Sequence, residues 1–268
     1  MNLVNTIKFS NKIRLHTLKM TSRAGTSHIG SMFSIADIVA VLFNDILQTK
    51  PNKKKTKKNS KDYFILSKGH AGGIVYAALA EKGFFSLKKL KTYCKNGSTL
   101  SGHISHYKVP GVDFSSGSLG HGLSVSCGLA FSNKKKKIFS LMSDGELDEG
   151  SNWEAILFAS HHKLSNLVNI VDYNKIQSIK STKDTLNLEP LKKKFLSFGW
   201  KVLEVDGHNH KKIFSALKNK SPNKPLCLIC HTIKGKGVDF MEKNNLWHYR
   251  TARGDEFQRA KIQIETKI

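Results

Sequence analysis

Asp144 and Asn174 stand thirty residues apart, each in a short loop that follows an apolar run. Ser143-Asp144-Gly145 comes after Ile138 to Ser143, and Asp172-Tyr173-Asn174 comes after Leu167 to Val171. A carboxylate and an amide oxygen at neighbouring strand ends can hold a hard divalent cation. A free backbone carbonyl, two phosphate oxygens and a water complete the octahedron that Mg²⁺ demands. Gly145, directly behind the carboxylate, lets backbone approach closely. Asp-Gly at a strand end is by itself a common turn pair. The pairing of the two loops is what points to a metal-bound phosphate ligand.

For the loops to meet, the runs that precede them must be parallel neighbours in one sheet. Candidate strands are Tyr63 to Ser67, Ile138 to Ser143, Leu167 to Val171, Val202 to Val205 and Leu226 to His231. Helical patterns cover Asn11 to Ser22, Ser34 to Leu47, Gly73 to Lys82, Gly120 to Asn133, Asn152 to Leu164 and Lys211 to Lys220. In the helix after Gly150, Trp153, Ile156, Leu157 and Ser160 recur at helical spacing, and Asn152 is placed to cap its start. Alternation of strand and helix predicts an α/β fold, a mainly parallel sheet with helices on both faces. A crossover between consecutive parallel strands brings their ends side by side, and in such sheets ligands bind outside the carboxyl ends.

The chain has 268 residues, 39% hydrophobic and 24% charged, enough for a sizeable core. Its 44 Lys+Arg against 20 Asp+Glu give a formal charge of +24. Only five of the basic residues are arginine, and the lysines are scattered rather than clustered with aromatics. That distribution argues against nucleic acid as a partner and for attraction of acidic or phosphorylated ones. Residues 50–61 carry seven lysines and no apolar residue, which predicts a mobile loop. The segment 251–268 is mixed in character and expected to be a peripheral tail. With no apolar run of roughly 18 residues and no signal-like N-terminus, the chain is expected to be cytoplasmic with no membrane partner. Cys227 and Cys230 mimic a CxxC pair but lie in an apolar strand, where residues three apart face opposite ways.

These motifs together carry a resemblance. Ser143-Asp144-Gly145 and the terminal Asn174 resemble the thiamine-diphosphate signature. Ser67-Lys68-Gly69-His70-Ala71, Gly102-His103, Gly117-Ser118-Leu119-Gly120, Asp148-Glu149-Gly150 with Trp153-Glu154-Ala155, Phe198-Gly199-Trp200, Asp206-Gly207-His208 and Thr232-Ile233-Lys234-Gly235-Lys236-Gly237 are similar to transketolase in order and spacing. The match runs from about Arg14 to His248, and the combination is highly specific.

The resemblance implies a thiamine-diphosphate-binding (PP) domain over residues 1–250. Asp144, Asn174 and the carbonyl of Ile176 would hold Mg²⁺, with Ca²⁺ or Mn²⁺ as substitutes. Gly117, Leu119 and Gly145 would let backbone approach the cofactor, and His70, Asn174 and His248 would contact it. His28, His70 and His103 would contact donor hydroxyls and move protons, with His248 near the diphosphate and the reacting carbon; histidine titrates in the range this chemistry needs. Glu149 matches a carboxylate through which paired cofactor sites communicate, and it reads equally as an acid favoured by a helix N-terminus. The chain departs from the family at Ser143, which replaces the first Gly of GDG, at Ser27-His28-Ile29-Gly30, which replaces GHPG, at His121, where Gln is usual, and at Ser178-Ile179-Lys180-Ser181, which lacks an expected glycine.

The cofactor-activating glutamate of transketolase belongs to a pyrimidine-binding domain that no stretch here resembles. The expectation is therefore the N-terminal subunit of a split transketolase acting on sugar phosphates. Its C-terminal partner would be a second polypeptide, in a heterotetramer of two copies of each chain. Rival readings are another thiamine-diphosphate enzyme, such as one like deoxyxylulose-phosphate synthase or like a dehydrogenase component, a non-catalytic binding protein, and a basic nucleic-acid binder.

Overall fold

The computed structural model describes residues 2–49, 51, 62–219 and 221–268. The Lys-rich run 50–61, apart from Pro51, lies outside the described residues. Five strands form one parallel sheet: β1 (Tyr63–Leu66), β2 (Ile138–Ser143), β3 (Leu167–Tyr173), β4 (Lys201–Asp206) and β5 (Leu226–His231), in the order β1-β2-β3-β5-β4. The expected strands all form, two of them with the expected bounds. β2 and β3 are adjacent with Ser143 opposite Asp172, so the Asp144 and Asn174 loops leave the sheet side by side.

Helices cover both faces. On one side lie α1 (Leu3–Ala24), α2 (Ile29–Ser34), α3 (Ala36–Val41) and α4 (Gly72–Glu81), together with α9 (His210–Lys218) and α10 (Gly254–Glu265). On the other lie α5 (Gly122–Ser132), α6 (Gly150–His161) and α8 (Leu191–Ser197), with the one-turn α7 (Thr182–Thr185) before α8. Strand alternation divides the core accordingly: Phe139, Leu141, Val168 and Ile170 face the first layer, while Ile138, Met142, Leu167 and Val171 face the second. Cys230 belongs to the first cluster and Cys227 to the second, which separates the CxxC-like pair across the sheet.

Three expectations are corrected. The helix expected over Ser34 to Leu47 is broken at Ile35 (φ −98°, ψ 3°), beside Ser34, whose hydroxyl is anchored on Asp172 at 2.6 Å, and it ends in a wider turn over Leu42–Ile46. α6 begins at Gly150, so Asn152 is inside its first turn; the amide donates to the Glu146 carbonyl at 2.5 Å instead of capping. The buried stripe of α6 is Asn152, Ala155, Ile156 and Ala159, and Leu157 is 59% exposed. The segment after residue 250 is no peripheral tail. Ala252, Ala260 and Ile264 are buried in the first core cluster, and Asn11 on α1 donates to the Lys267 carbonyl at 2.9 Å.

Candidate active site

A cleft of about 260 Å³ opens at the carboxyl ends of the strands. It is lined by His28, His70, His103, Gly117, Leu119, Asp144, Gly145, Asn174, Ile176 and His248, which is every expected site residue except Glu149. Glu149 sits exposed at the N-cap of α6, outside the cleft, with no side-chain capping bond. It lies beside Gly120, in the loop that follows Gly117 and Leu119. His121 is likewise exposed, with Nδ1 at 3.1 Å from the Leu119 carbonyl.

Asp144 is 1% exposed, and its oxygens accept backbone N–H groups from Gly145 at 2.8 Å and Lys175 at 2.6 Å. No ion pair with Asp144 occurs among the described residues. Burial, with the Asp172 charge nearby, pushes its carboxyl up to about 7. A buried carboxylate left without an ammonium partner is what a divalent cation would stabilise. Asn174 donates from Nδ2 to Asp172 at 3.1 Å and Ser34 at 3.3 Å, and Oδ1 accepts from Ile176 N–H at 3.0 Å. These bonds orient the amide, with its oxygen on the Ile176 side. Among the described residues no cluster of three or more His, Cys, Asp or Glu side chains could hold a metal. The fit instead requires one carboxylate, one amide and one carbonyl, and those three groups line the cleft.

Around them lies a buried set of charges that the sequence did not reveal as functional. Lys68 is fully buried, with Nζ donating to Asp172 Oδ2 at 2.5 Å and to the Ser31 carbonyl at 3.3 Å. Asp172 also accepts the hydroxyls of Ser34 and Thr232. Burial alone would raise this carboxyl, but Lys68 and these donors hold it below the usual carboxylate range. Lys234 donates to the carbonyls of Ile176 at 3.1 Å and Gln177 at 2.8 Å and to Asn245 Oδ1 at 3.2 Å. Burial and the Lys68 charge press its ammonium down to about 8. A carbonyl oxygen has two lone pairs, so Ile176 can accept from Lys234 and still offer one to a cation. Lys68, Lys234, Ser31 and Gln177 all line the cleft; the two lysines stand inside motifs visible in the sequence, but nothing marks them among so many others.

The four histidines converge. The ring of His28 lies 4.9 Å from that of His248, 5.2 Å from His70 and 5.8 Å from His103, centroid to centroid. Burial, with His103, Lys234 and Lys68 nearby, lowers His28 to about 4; burial and Lys234 lower His248 to about 3; burial and Lys68 hold His70 well below the usual range. Near pH 7 these three rings are neutral, each able to donate from one nitrogen and accept at the other.

The model of the transketolase thiamine diphosphate binding domain matches residues 6–267. The chain belongs to the transketolase family. One subunit of the apulose-4-phosphate transketolase of Actinobacillus succinogenes is 41% identical over 94% of this chain and 92% of its own length. The 6-deoxy-6-sulfo-D-fructose transketolase subunit SqwG of a Clostridium species is 35% identical over 96% and 94%. Human transketolase is 36% identical over 89% of this chain, which spans 38% of the human protein. Among solved structures, transketolase from Campylobacter jejuni superposes with a TM-score of 0.89 at 29% identity; the match covers 99% of this chain and 43% of that one. The thiamine-diphosphate-binding fold of transketolases is therefore the fold of this chain. Among its described residues no helix is long and apolar enough to cross a membrane.

Proposed function

We propose that this chain is the thiamine-diphosphate- and Mg²⁺-binding subunit of a two-chain transketolase, moving a two-carbon ketol unit from a ketose donor to an aldose acceptor. The observation that carries the reading is the cleft itself: an uncompensated buried carboxylate and an oriented amide beside four clustered histidines, three of them neutral. Bound thiamine diphosphate supplies a nucleophilic carbon able to break and remake a carbon–carbon bond next to a carbonyl. Asp144, Asn174 and the Ile176 carbonyl would hold the cation, which would offset the charge of the diphosphate; Gly117, Leu119 and Gly145 would form the close backbone wall. His28, His70 and His103 bind donor and acceptor hydroxyls and relay protons, and His248 serves the reacting carbon.

Two relatives whose lengths this chain nearly matches are each named as one subunit of an apulose-4-phosphate transketolase, which supports a partner polypeptide. That partner brings the pyrimidine-binding domain and its glutamate. The exposed Phe131, Leu157 and Phe158 on α5 and α6 offer an apolar face for assembly into a heterotetramer. The relatives are named for a ketose phosphate and a sulfonated ketose. The shared chemistry, a ketose ending in a tetrahedral anion, suits the +24 charge of this chain. Four free thiols agree with a cytoplasmic site of action.

The test is reconstitution. The purified chain, its partner, thiamine diphosphate and Mg²⁺ are mixed with ketose phosphates and a sulfonated ketose, and aldose release is followed. Ping-pong turnover is expected only in the complete mixture. Full turnover by the single chain, or pyruvate consumption in place of ketose cleavage, refutes the proposal.

A further inference from the structure

His28 stands in the wall between two cavities. The cleft described above lies on one side. On the other, a cavity of about 320 Å³ is lined by Gly25, Thr26, Ser27, Tyr93, Gly102 and Tyr249, and His28 and His103 border both. His28 has φ 73°, a left-handed conformation that a non-glycine residue keeps only where its surroundings enforce it. Its backbone N–H donates to the His248 carbonyl at 2.9 Å, which ties the main chain down. The side chain is tied separately, with Nδ1 at 3.0 Å from the Ser27 hydroxyl.

We propose that Ser27 is a positioning residue for the transfer reaction, its hydroxyl donating to Nδ1 of His28 so that the ring keeps its proton on Nε2 and offers that N–H to a sugar hydroxyl. The inference rests on the ketol-transfer reading above. A neutral imidazole has two tautomers, and the one populated is set by the hydrogen bond its other nitrogen makes. The groups facing His28 are the rings of His70, His103 and His248 and the cations Lys68 and Lys234. Burial, with His103, Lys234 and Lys68 nearby, disfavours a second proton on the ring, so a choice between tautomers remains, and Ser27 is the side chain bonded to it. With Nδ1 occupied, the two nitrogens are no longer interchangeable, and Nε2 is the one free for a ligand at the junction of the cavities.

Two measurements test this independently. In the isolated chain with ¹⁵N-labelled histidine, two-bond proton–nitrogen spectra at pH 7.5 should show His28 with a bare Nδ1 and a protonated Nε2, its signals identified by their loss in His28→Gln. Ser27→Ala should give a mixture of tautomers, and Ser27→Thr should restore the single form. In the complex with partner, thiamine diphosphate and Mg²⁺, Ser27→Ala should raise KM for the ketose about three- to tenfold, the worth of one hydrogen bond. Its kcat should stay within about twofold, cofactor affinity and Tm should be unchanged, and Ser27→Thr should recover KM. Wild-type His28 protonated on Nδ1, or Ser27→Ala leaving both tautomer and KM unaltered, overturns the proposal. If the complete wild-type mixture transfers no two-carbon unit, the ketol-transfer reading falls, and the spectra alone then decide the Ser27–His28 lock.

Discussion

Replacing Lys68 by methionine keeps an unbranched side chain one atom shorter and removes the charge from a pair in which both members are fully buried. Asp172 would be left as an uncompensated carboxylate inside the protein. Breaking one side of a buried ion pair costs roughly 3–5 kcal/mol. Here Asp172 keeps the hydroxyls of Ser34 and Thr232 and the amide of Asn174, which soften the loss. We therefore expect the low end, about 3 kcal/mol. For a chain of this size that is a fall in Tm of about 6–12 °C. Urea unfolding followed by far-UV circular dichroism should give a lower midpoint at an unchanged slope. The double variant Lys68→Met, Asp172→Asn removes both charges and should recover to within about 1 kcal/mol of the parent, since an apolar or neutral replacement of a whole buried pair is often nearly neutral. A loss below about 1 kcal/mol in the single variant, or a double variant no more stable than the single, would show that the two charges are not an isolated buried pair.

Three further outcomes are expected. Asp144→Ala should abolish Mg²⁺-dependent binding of thiamine diphosphate by calorimetry, whereas His103→Ala, at the exposed rim, should weaken donor use and leave cofactor affinity within about twofold; equal cofactor loss in both would undo the division of roles. His28 and His248 take protons at pH 6.5 when unfolded but only at about 4 and 3 when folded. Their contribution to stability is therefore fully present above pH 6.5 and is lost as pH falls towards those lower values, so urea midpoints should drop between pH 7 and 4, and His28→Asn with His248→Asn should flatten that slope. Gly69→Ala would drive a Cβ into the Ser116 carbonyl oxygen and should cost more than about 2 kcal/mol, while Gly128→Ala on α5 meets nothing within 4 Å and should stabilise the isolated chain by about 0.5–1 kcal/mol; equal effects in thermal melts would contradict the packing.

Much of this protein was legible as local pattern. Strand runs such as Ile138–Ser143 and Leu226–His231 are short and apolar with turn residues near their ends, and strand periodicity is a property of neighbouring residues, so their bounds and the opposite facing of Cys227 and Cys230 could be read directly. Alternation of elements then placed Asp144 and Asn174 at adjacent strand ends, and motif order brought in the four histidines. The tertiary structure alone decided which lysines are buried. Lys68 and Lys234 stand inside motifs visible in the sequence, but their burial depends on Asp172 and on the Ile176–Gln177 carbonyls, which the fold brings from far along the chain. It also decided that Glu149 misses the cleft and that the last helix packs on the first, because small shifts in where a turn ends or which face finds a partner have no local cause. Sequence determined the elements and the ligand-bearing loops; long-range packing determined the charges that surround them, since the free energy of a buried charge is set by what the rest of the chain places beside it.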